Sequence, residues 1–137
     1  MQGTMLELIY STSRAGAEAF AWREPFAAIS ITDPGSRPVA LPQASLVARC
    51  DLQFWDVERG ELDVFDAAMA RRALTFVRDD CVAATLLLVH CEAGISRSTA
   101  MADALGRIHG IAVRHQNAMF LDPNPLVTRL LGEQAIV

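Results

Sequence analysis

Residues 85–99 read TLLLVHCEAGISRST, and the organisation of the chain follows from them. Leu86, Leu87, Leu88 and Val89 form a continuous apolar run, as in a strand buried on both faces of a largely parallel sheet. His90 and Cys91 end the run, a short segment containing Gly94 follows, and Ser98, Thr99, Ala100, Met101 and Ala102 begin a helical pattern. A cysteine therefore stands at the carboxyl end of a buried strand, and Arg97 stands where a helix opens. A short loop entering a helix can turn successive N–H groups inward and make a concave anion site. The helix N-terminus adds unpaired donors and a partial positive charge. Gly94 permits a tight turn or a positive φ, and Arg97 supplies a planar fork of donors matched to two phosphate oxygens. The same surroundings favour a thiolate at Cys91, and a thiolate facing a bound phosphate is placed for attack on phosphorus. The plainer alternative is a buried structural cysteine that happens to end a strand.

A cysteine and an arginine at this spacing prove little alone; the specificity lies in the surrounding residues. His90-Cys91-Glu92-Ala93-Gly94-Ile95-Ser96-Arg97-Ser98 resembles the active-site loop of the cysteine-dependent protein tyrosine phosphatases. The likeness is greatest to the dual-specificity branch and its small bacterial relatives, whose pattern is His-Cys-x-x-Gly-x-Ser-Arg-Ser, and every fixed position of that pattern is filled. The resemblance runs from about the third strand to the last helix. It implies one catalytic domain over residues 1–137 with a phosphotyrosine-phosphatase-like α/β fold.

Composition agrees with a folded enzyme. A chain of 137 residues with 52% apolar and 20% charged residues can bury a core and is not a disordered chain. The net charge of −4, without a basic run, disfavours nucleic acid and an anionic membrane surface as partners. The start, MQGTMLELIYSTS, lacks the basic and apolar regions of an export signal, and no segment has the roughly 18 apolar residues of a spanning helix. Cys50, Cys81 and Cys91 are odd in number and lack metal-ligand spacing, which fits a reducing cytoplasm.

Taken in order, the pattern predicts strands over 5–10, 27–32 and 48–54, a brief helix over 14–20, and a turn at Asp33-Pro34-Gly35. Residues 36–45 hold Pro38 and Pro42 and read as a loop, part of which is in a position to cover the active site. A polar loop over 55–63 leads to a helix over 64–78, and then to the strand and loop above. The next helix spans about 98–109 and ends at Gly110. A short helix is expected somewhere in 111–121, and a last one over 126–132 with Pro125 at its first position. Alternating strands and helices give an α/β class, with helices flanking a central, mostly parallel sheet of about four to five strands. A site at a strand's carboxyl end is where such sheets bind ligands.

Transfer of phosphate to a thiolate needs a proton for the departing oxygen, usually from a loop aspartate. In the resembling family that aspartate lies about thirty residues before the cysteine, between a strand and a helix. Asp56, 35 residues before Cys91, has that setting; Glu58 and Asp63 are the other acids to weigh. Asp51 falls within a strand, while Asp63 and Asp66 suit a helix N-terminus. The resemblance gives His90 a hydrogen bond that supports the loop, and gives Ser98 the hydroxyl that stabilises sulfur as a leaving group. It makes Asn124, in Leu121-Asp122-Pro123-Asn124-Pro125, the brace of the phosphate loop, a role compatible with capping the last helix. Without the family, His90 reads as a core histidine and Ser98 as a helix-start serine. Trp55 reads as a core aromatic or part of the pocket wall. His109 and His115 lack partners at metal-ligand spacing and read as surface or core residues. Cys50 and Cys81 read as buried structural cysteines, with a role as resolving thiol for Cys91 left open.

The expectation is a cysteine-dependent phosphatase without metal or other cofactor. Cys91 is the nucleophile and Asp56 the acid, with Ser98 assisting. The N–H groups of Glu92, Ala93, Gly94, Ile95, Ser96 and Arg97, with the Arg97 side chain, hold phosphate. Its partner is a phosphorylated protein, phosphotyrosine first, or a small phosphomonoester. Glu92 and Ala93 bring no positive charge, which argues against highly phosphorylated inositides. Residues 1–45 carry no matched motif and are expected to hold the substrate-recognition surface; oligomeric state is left open. A phosphopeptide-binding module without efficient turnover is the alternative. A rhodanese-like sulfur transferase, which also uses a strand-end cysteine loop, fits the glycine and paired serines poorly.

Overall fold

The computed structural model describes residues 5–60, 62–117 and 119–136. The first four residues, part of the segment read as carrying no export signal, lie outside the described residues, as do Glu61 of the polar loop over 55–63 and Ala118 of the region 111–121 where a short helix is expected. Five strands form one sheet: β1 Leu8–Thr12, β2 Phe26–Thr32, β3 Leu46–Gln53, β4 Leu86–His90 and β5 Ala112–His115. Their order is β3-β2-β4-β1-β5 and every pairing is parallel. The expected mostly parallel sheet is thus present with five strands. β4 is central, paired with β1 on one side and β2 on the other, and all five of its residues are buried. That position explains why its sequence is apolar without alternation.

The helices are α1 Arg14–Glu18, α2 Ala67–Thr75, α3 Arg97–His109 and α4 Pro125–Ile136; a π-helical turn, Phe76–Asp80, extends α2. Strand alternation divides the core between the two faces of the sheet. Ile9, Ile29, Ile31, Leu52, Leu87 and Val89 meet residues of α2, α3 and α4 such as Ala70, Met101, Leu105, Val127 and Leu131. Phe26, Ala28, Leu86 and Leu88 lie on the other face with Ala17 of α1 and with Val39 and Leu41. From residues 36–45, Val39 and Leu41 are thus buried on this second face, and Arg49 Nη1 donates to the Val39 carbonyl at 3.1 Å.

Several bounds differ from the sequence reading; β1 runs 8–12 rather than 5–10, and α4 continues to Ile136 rather than ending at 132. α2 begins at 67 rather than 64 because Asp66 is its N-cap, its carboxylate accepting from Met69 N–H at 2.8 Å. Asp63 is not a first-turn acid: its φ is +55° and its carbonyl accepts from Trp55 N–H at 2.8 Å. No helix is found in the described part of 111–121; Ala112–His115 is an edge strand on β1 instead. α3 ends at Gly110, φ +68°, as expected. No helix among the described residues is long and apolar enough to cross a membrane.

Candidate active site

The carboxyl ends of β1, β2, β3 and β4 converge on the loop between β4 and α3. Cys91 follows β4 directly and is 2% exposed. Its Sγ receives the Gly94 N–H at 3.2 Å and lies 3.2 Å from Ser98 Oγ in the first turn of α3. Gly94 has φ +73°, and a side chain there would press on the backbone of Thr12 and Ser13. The loop is therefore closed against the β1–α1 junction. Cys91 N–H donates to the Thr12 carbonyl at 3.4 Å, and Arg14 N–H donates to the Glu92 carbonyl at 3.1 Å.

The carbonyls of Cys91, Ile95 and Ser96 are also tied outward. His90 Nδ1 lies 3.2 Å from the Cys91 carbonyl. The Ile95 carbonyl accepts from Asp122 N–H at 3.0 Å and from Thr99 Oγ1 at 2.7 Å. The Ser96 carbonyl accepts from Asn124 N–H at 3.1 Å, from Ala100 N–H at 3.1 Å and from Thr99 Oγ1 at 3.1 Å. The N–H groups of Glu92, Ala93, Ile95, Ser96 and Arg97, by contrast, have no partner among the described residues. A run of unpaired donors at a helix N-terminus is an environment for negative charge.

His90 is fully buried. Because the Cys91 carbonyl can only accept, Nδ1 carries the proton, and in the neutral ring Nε2 accepts from the Ser30 hydroxyl. Burial pushes the imidazole below its ordinary value, against the opposing pull of the Cys91 carbonyl. Arg97 is also buried, and its Nη1 donates at 2.8 Å to Asp33 Oδ1 and at 2.8 Å to the Phe54 carbonyl. Nε and Nη2 of Arg97 have no partner among the described residues.

Asp56 follows Phe54 and Trp55 at the end of β3. Phe54 is buried against Phe65, with ring centroids 4.9 Å apart, so the strand end is anchored two residues before the aspartate. Asp56 Oδ1 accepts from Ser96 Oγ at 2.7 Å and from Asn124 Nδ2 at 2.8 Å, which places the carboxylate beside the cysteine loop. Asn124 also caps α4, its Oδ1 accepting from Leu126 N–H at 2.9 Å and Val127 N–H at 3.3 Å. Through its side chain and its backbone N–H, buried Asn124 thus joins helix cap, acidic loop and cysteine loop. Glu58 lines the same cleft as Asp56, Ser96 and Asn124. Trp55 is 44% exposed and is not a core residue.

No protein-family model matches the sequence, and no curated protein matches it. Among solved structures, human DUSP28 matches with a TM-score of 0.59 at 20% identity, covering 97% of this chain and 94% of that one. A mouse putative dual specificity phosphatase complexed with zinc tungstate matches with a TM-score of 0.56 at 20% identity, over 94% and 82% of the two chains. The fold is that of the dual-specificity phosphatases.

Within this dual-specificity-phosphatase fold, the structure gathers Cys91, Glu92, Ala93, Gly94, Ile95, Ser96, Arg97, Ser98, His90, Asn124 and Asp56 at the carboxyl end of the sheet. Asp33 is visible in the sequence only as a turn residue; its contact with Arg97 spans 64 positions, and no local pattern encodes it. Arg14 is likewise unmarked in the sequence: its guanidinium reaches Glu92 at 3.4 Å, so the acidic charge in the loop is partly offset. The remaining histidines and cysteines lie elsewhere. His115 bridges Ser11 at 2.8 Å and Asp103 at 2.9 Å, tying β5 to β1 and α3. His109 is half-buried at the end of α3. Cys50 and Cys81 are free and buried; burial pushes the Cys81 thiol up to about 12 and raises that of Cys50.

Proposed function

We propose that the chain is one catalytic domain that hydrolyses phosphomonoesters through a phosphocysteine intermediate, as a protein tyrosine or dual-specificity phosphatase of the cytoplasm. The observation that carries this reading is the run of five N–H groups, without partners among the described residues, in the loop that follows the buried Cys91, with the Cys91, Glu92, Ile95 and Ser96 carbonyls bonded elsewhere. The mouse putative phosphatase of the same fold is complexed with zinc tungstate, and tungstate is a tetrahedral oxyanion like phosphate.

In this mechanism the Cys91 thiolate forms the S–P bond as the P–O bond to the leaving group breaks. The N–H crown and the Nε–Nη2 edge of Arg97 hold the equatorial oxygens, and Asp33 holds Nη1 out of the way. Preorganised donors of this kind supply most of the stabilisation in phosphoryl transfer. Both hydrogen bonds to Asp56 fall on Oδ1, so Oδ2 carries the proton given to the leaving oxygen. Asp56, now ionised, takes a proton from the water that attacks phosphorus; the S–P bond breaks, and the Ser98 hydroxyl donates to the departing thiolate. Neutral His90 fixes the Cys91 carbonyl and keeps the strand end in place.

Hydrolysis of p-nitrophenyl phosphate between pH 5 and 8, with chelator and reductant present, tests the proposal. Metal-independent turnover is expected, and Asp56→Asn is expected to reduce it by about 10²–10⁴-fold, the usual worth of a general acid. Turnover unchanged in Asp56→Asn would move the acid to Glu58 or Asp63. No turnover from folded, reduced wild type would leave the phosphopeptide-binding module in its place.

Asp33 is a positioning residue in this scheme. Asp33→Asn is expected to raise KM about tenfold, the worth of one charged hydrogen bond, with a smaller change in kcat. Asp33→Glu should recover part of the loss. A KM equal to that of wild type in Asp33→Asn would remove Asp33 from the scheme.

A further inference from the structure

On the α1 side of the sheet, away from α2, α3 and α4, a groove of about 430 Å³ runs along β1. Tyr10, Phe20 and Trp22 form a row of rings in it. The centroids of Tyr10 and Phe20 are 5.9 Å apart and those of Phe20 and Trp22 6.3 Å, with planes within 25° and 16° of parallel. Leu8 and Leu86 complete the apolar surface. Arg114 of β5 is the one charged residue lining the groove, and it has no hydrogen-bond or ion-pair partner among the described residues. Nothing in the phosphatase reading uses any of these groups.

We propose that this groove binds a planar aromatic carboxylate. The volume lies in the range of small-molecule sites, which combine apolar walls with a few placed polar groups. These near-parallel, stacked rings favour a flat apolar partner in offset contact. A lone guanidinium with a free fork matches the two oxygens of a carboxylate, and it opposes a cationic ligand. The groove lacks the crown of backbone donors that marks the Cys91 loop, so it selects a carboxylate with an apolar body rather than free phosphate. Its end reaches Thr12, whose carbonyl accepts from Cys91 N–H, so the two sites share one strand end without sharing donors.

Calorimetric titration with 2-naphthoate, with and without excess inorganic phosphate, provides the test. Wild type is expected to bind naphthoate equally in both conditions. Arg114→Gln and Trp22→Ala should each weaken binding about tenfold, as expected for loss of a charged hydrogen bond or of one ring contact with its buried area. The alcohol analogue, 2-naphthylmethanol, should bind wild type and Arg114→Gln alike. Both substituted side chains are exposed, and thermal melting establishes that each variant is folded. Absence of naphthoate binding to wild type, or wild-type affinity in either variant, would overturn the proposal. Displacement by phosphate would also overturn it, because it would place the ligand in the Cys91 loop.

Discussion

Cys91→Ser is expected to abolish p-nitrophenyl phosphate turnover, by at least about 10⁴-fold, while inorganic phosphate still binds. The two halves of this result separate the nucleophile from the cradle. A serine hydroxyl has no neighbouring base here to activate it: His90 is neutral, and its two ring nitrogens are committed to Ser30 and the Cys91 carbonyl. The new Oγ would be a poor nucleophile at any pH at which the protein is folded. Loss of a group that forms the covalent intermediate typically costs several orders of magnitude. The proposed phosphate site does not depend on sulfur chemistry. Its donors are backbone N–H groups and Arg97, oriented by contacts to Thr12, Arg14, Asp122 and Asn124 that the substitution does not touch. In the proposed mechanism the nucleophile faces phosphate as a thiolate, and serine would bring no such charge, so the calorimetric Kd for phosphate should hold or improve. Substantial turnover in Cys91→Ser would sink the phosphocysteine mechanism. Loss of phosphate binding in a folded variant would sink the view that the loop is preorganised by its carbonyls.

What the sequence encodes locally, it encodes well. The β4–loop–α3 unit is readable because its signals are contiguous: an apolar run, a glycine and a helical pattern within fifteen residues. The start of α2 is displaced by three residues because Asp66 and Asp63 both look like cap or first-turn acids, and only the backbone shows which one caps. β5 escapes the sequence pattern for a different reason. Ala112–His115 is four residues long and only partly buried, so its periodicity is weak, and it becomes a strand because β1 offers an open edge. Asp33 and Arg14 join the site through contacts 64 and 78 positions away. Pairings of that range depend on strand order, and the residues of β1 and β2 do not themselves encode that they flank β4. Asn124 stands out only through the family likeness; its threefold engagement with α4, Asp56 and the cysteine loop is a tertiary fact.

Gly94→Ala is expected to remove nearly all turnover and to destabilise the fold, whereas Gly110→Ala should do neither to a comparable degree. Both glycines have φ near +70°, so both substitutions carry the left-handed penalty of about 1–2 kcal/mol. They differ in what the new methyl group meets. At Gly110 nothing lies within 4 Å. At Gly94 the Cβ would stand 2.7 Å from Ser13 N and 2.8 Å from the Thr12 carbonyl carbon, both backbone atoms. Relief requires the cysteine loop and the β1–α1 junction to separate. That movement breaks the bonds from Cys91 N–H to Thr12 and from Arg14 N–H to Glu92, and displaces the Gly94 N–H that points at Sγ. A misplacement of about 1 Å in a reacting group can cost about 10²-fold in rate, and here several donors move together. Thermal melting and kcat/KM on the two variants form the comparison. Gly110→Ala should lower Tm by a few degrees with wild-type turnover, since about 1 kcal/mol shifts a domain of this size by roughly 2–8 °C. Gly94→Ala should show a larger fall in Tm together with loss of rate. Wild-type turnover in Gly94→Ala would mean that the loop tolerates separation from β1, and the preorganised crown would no longer explain catalysis.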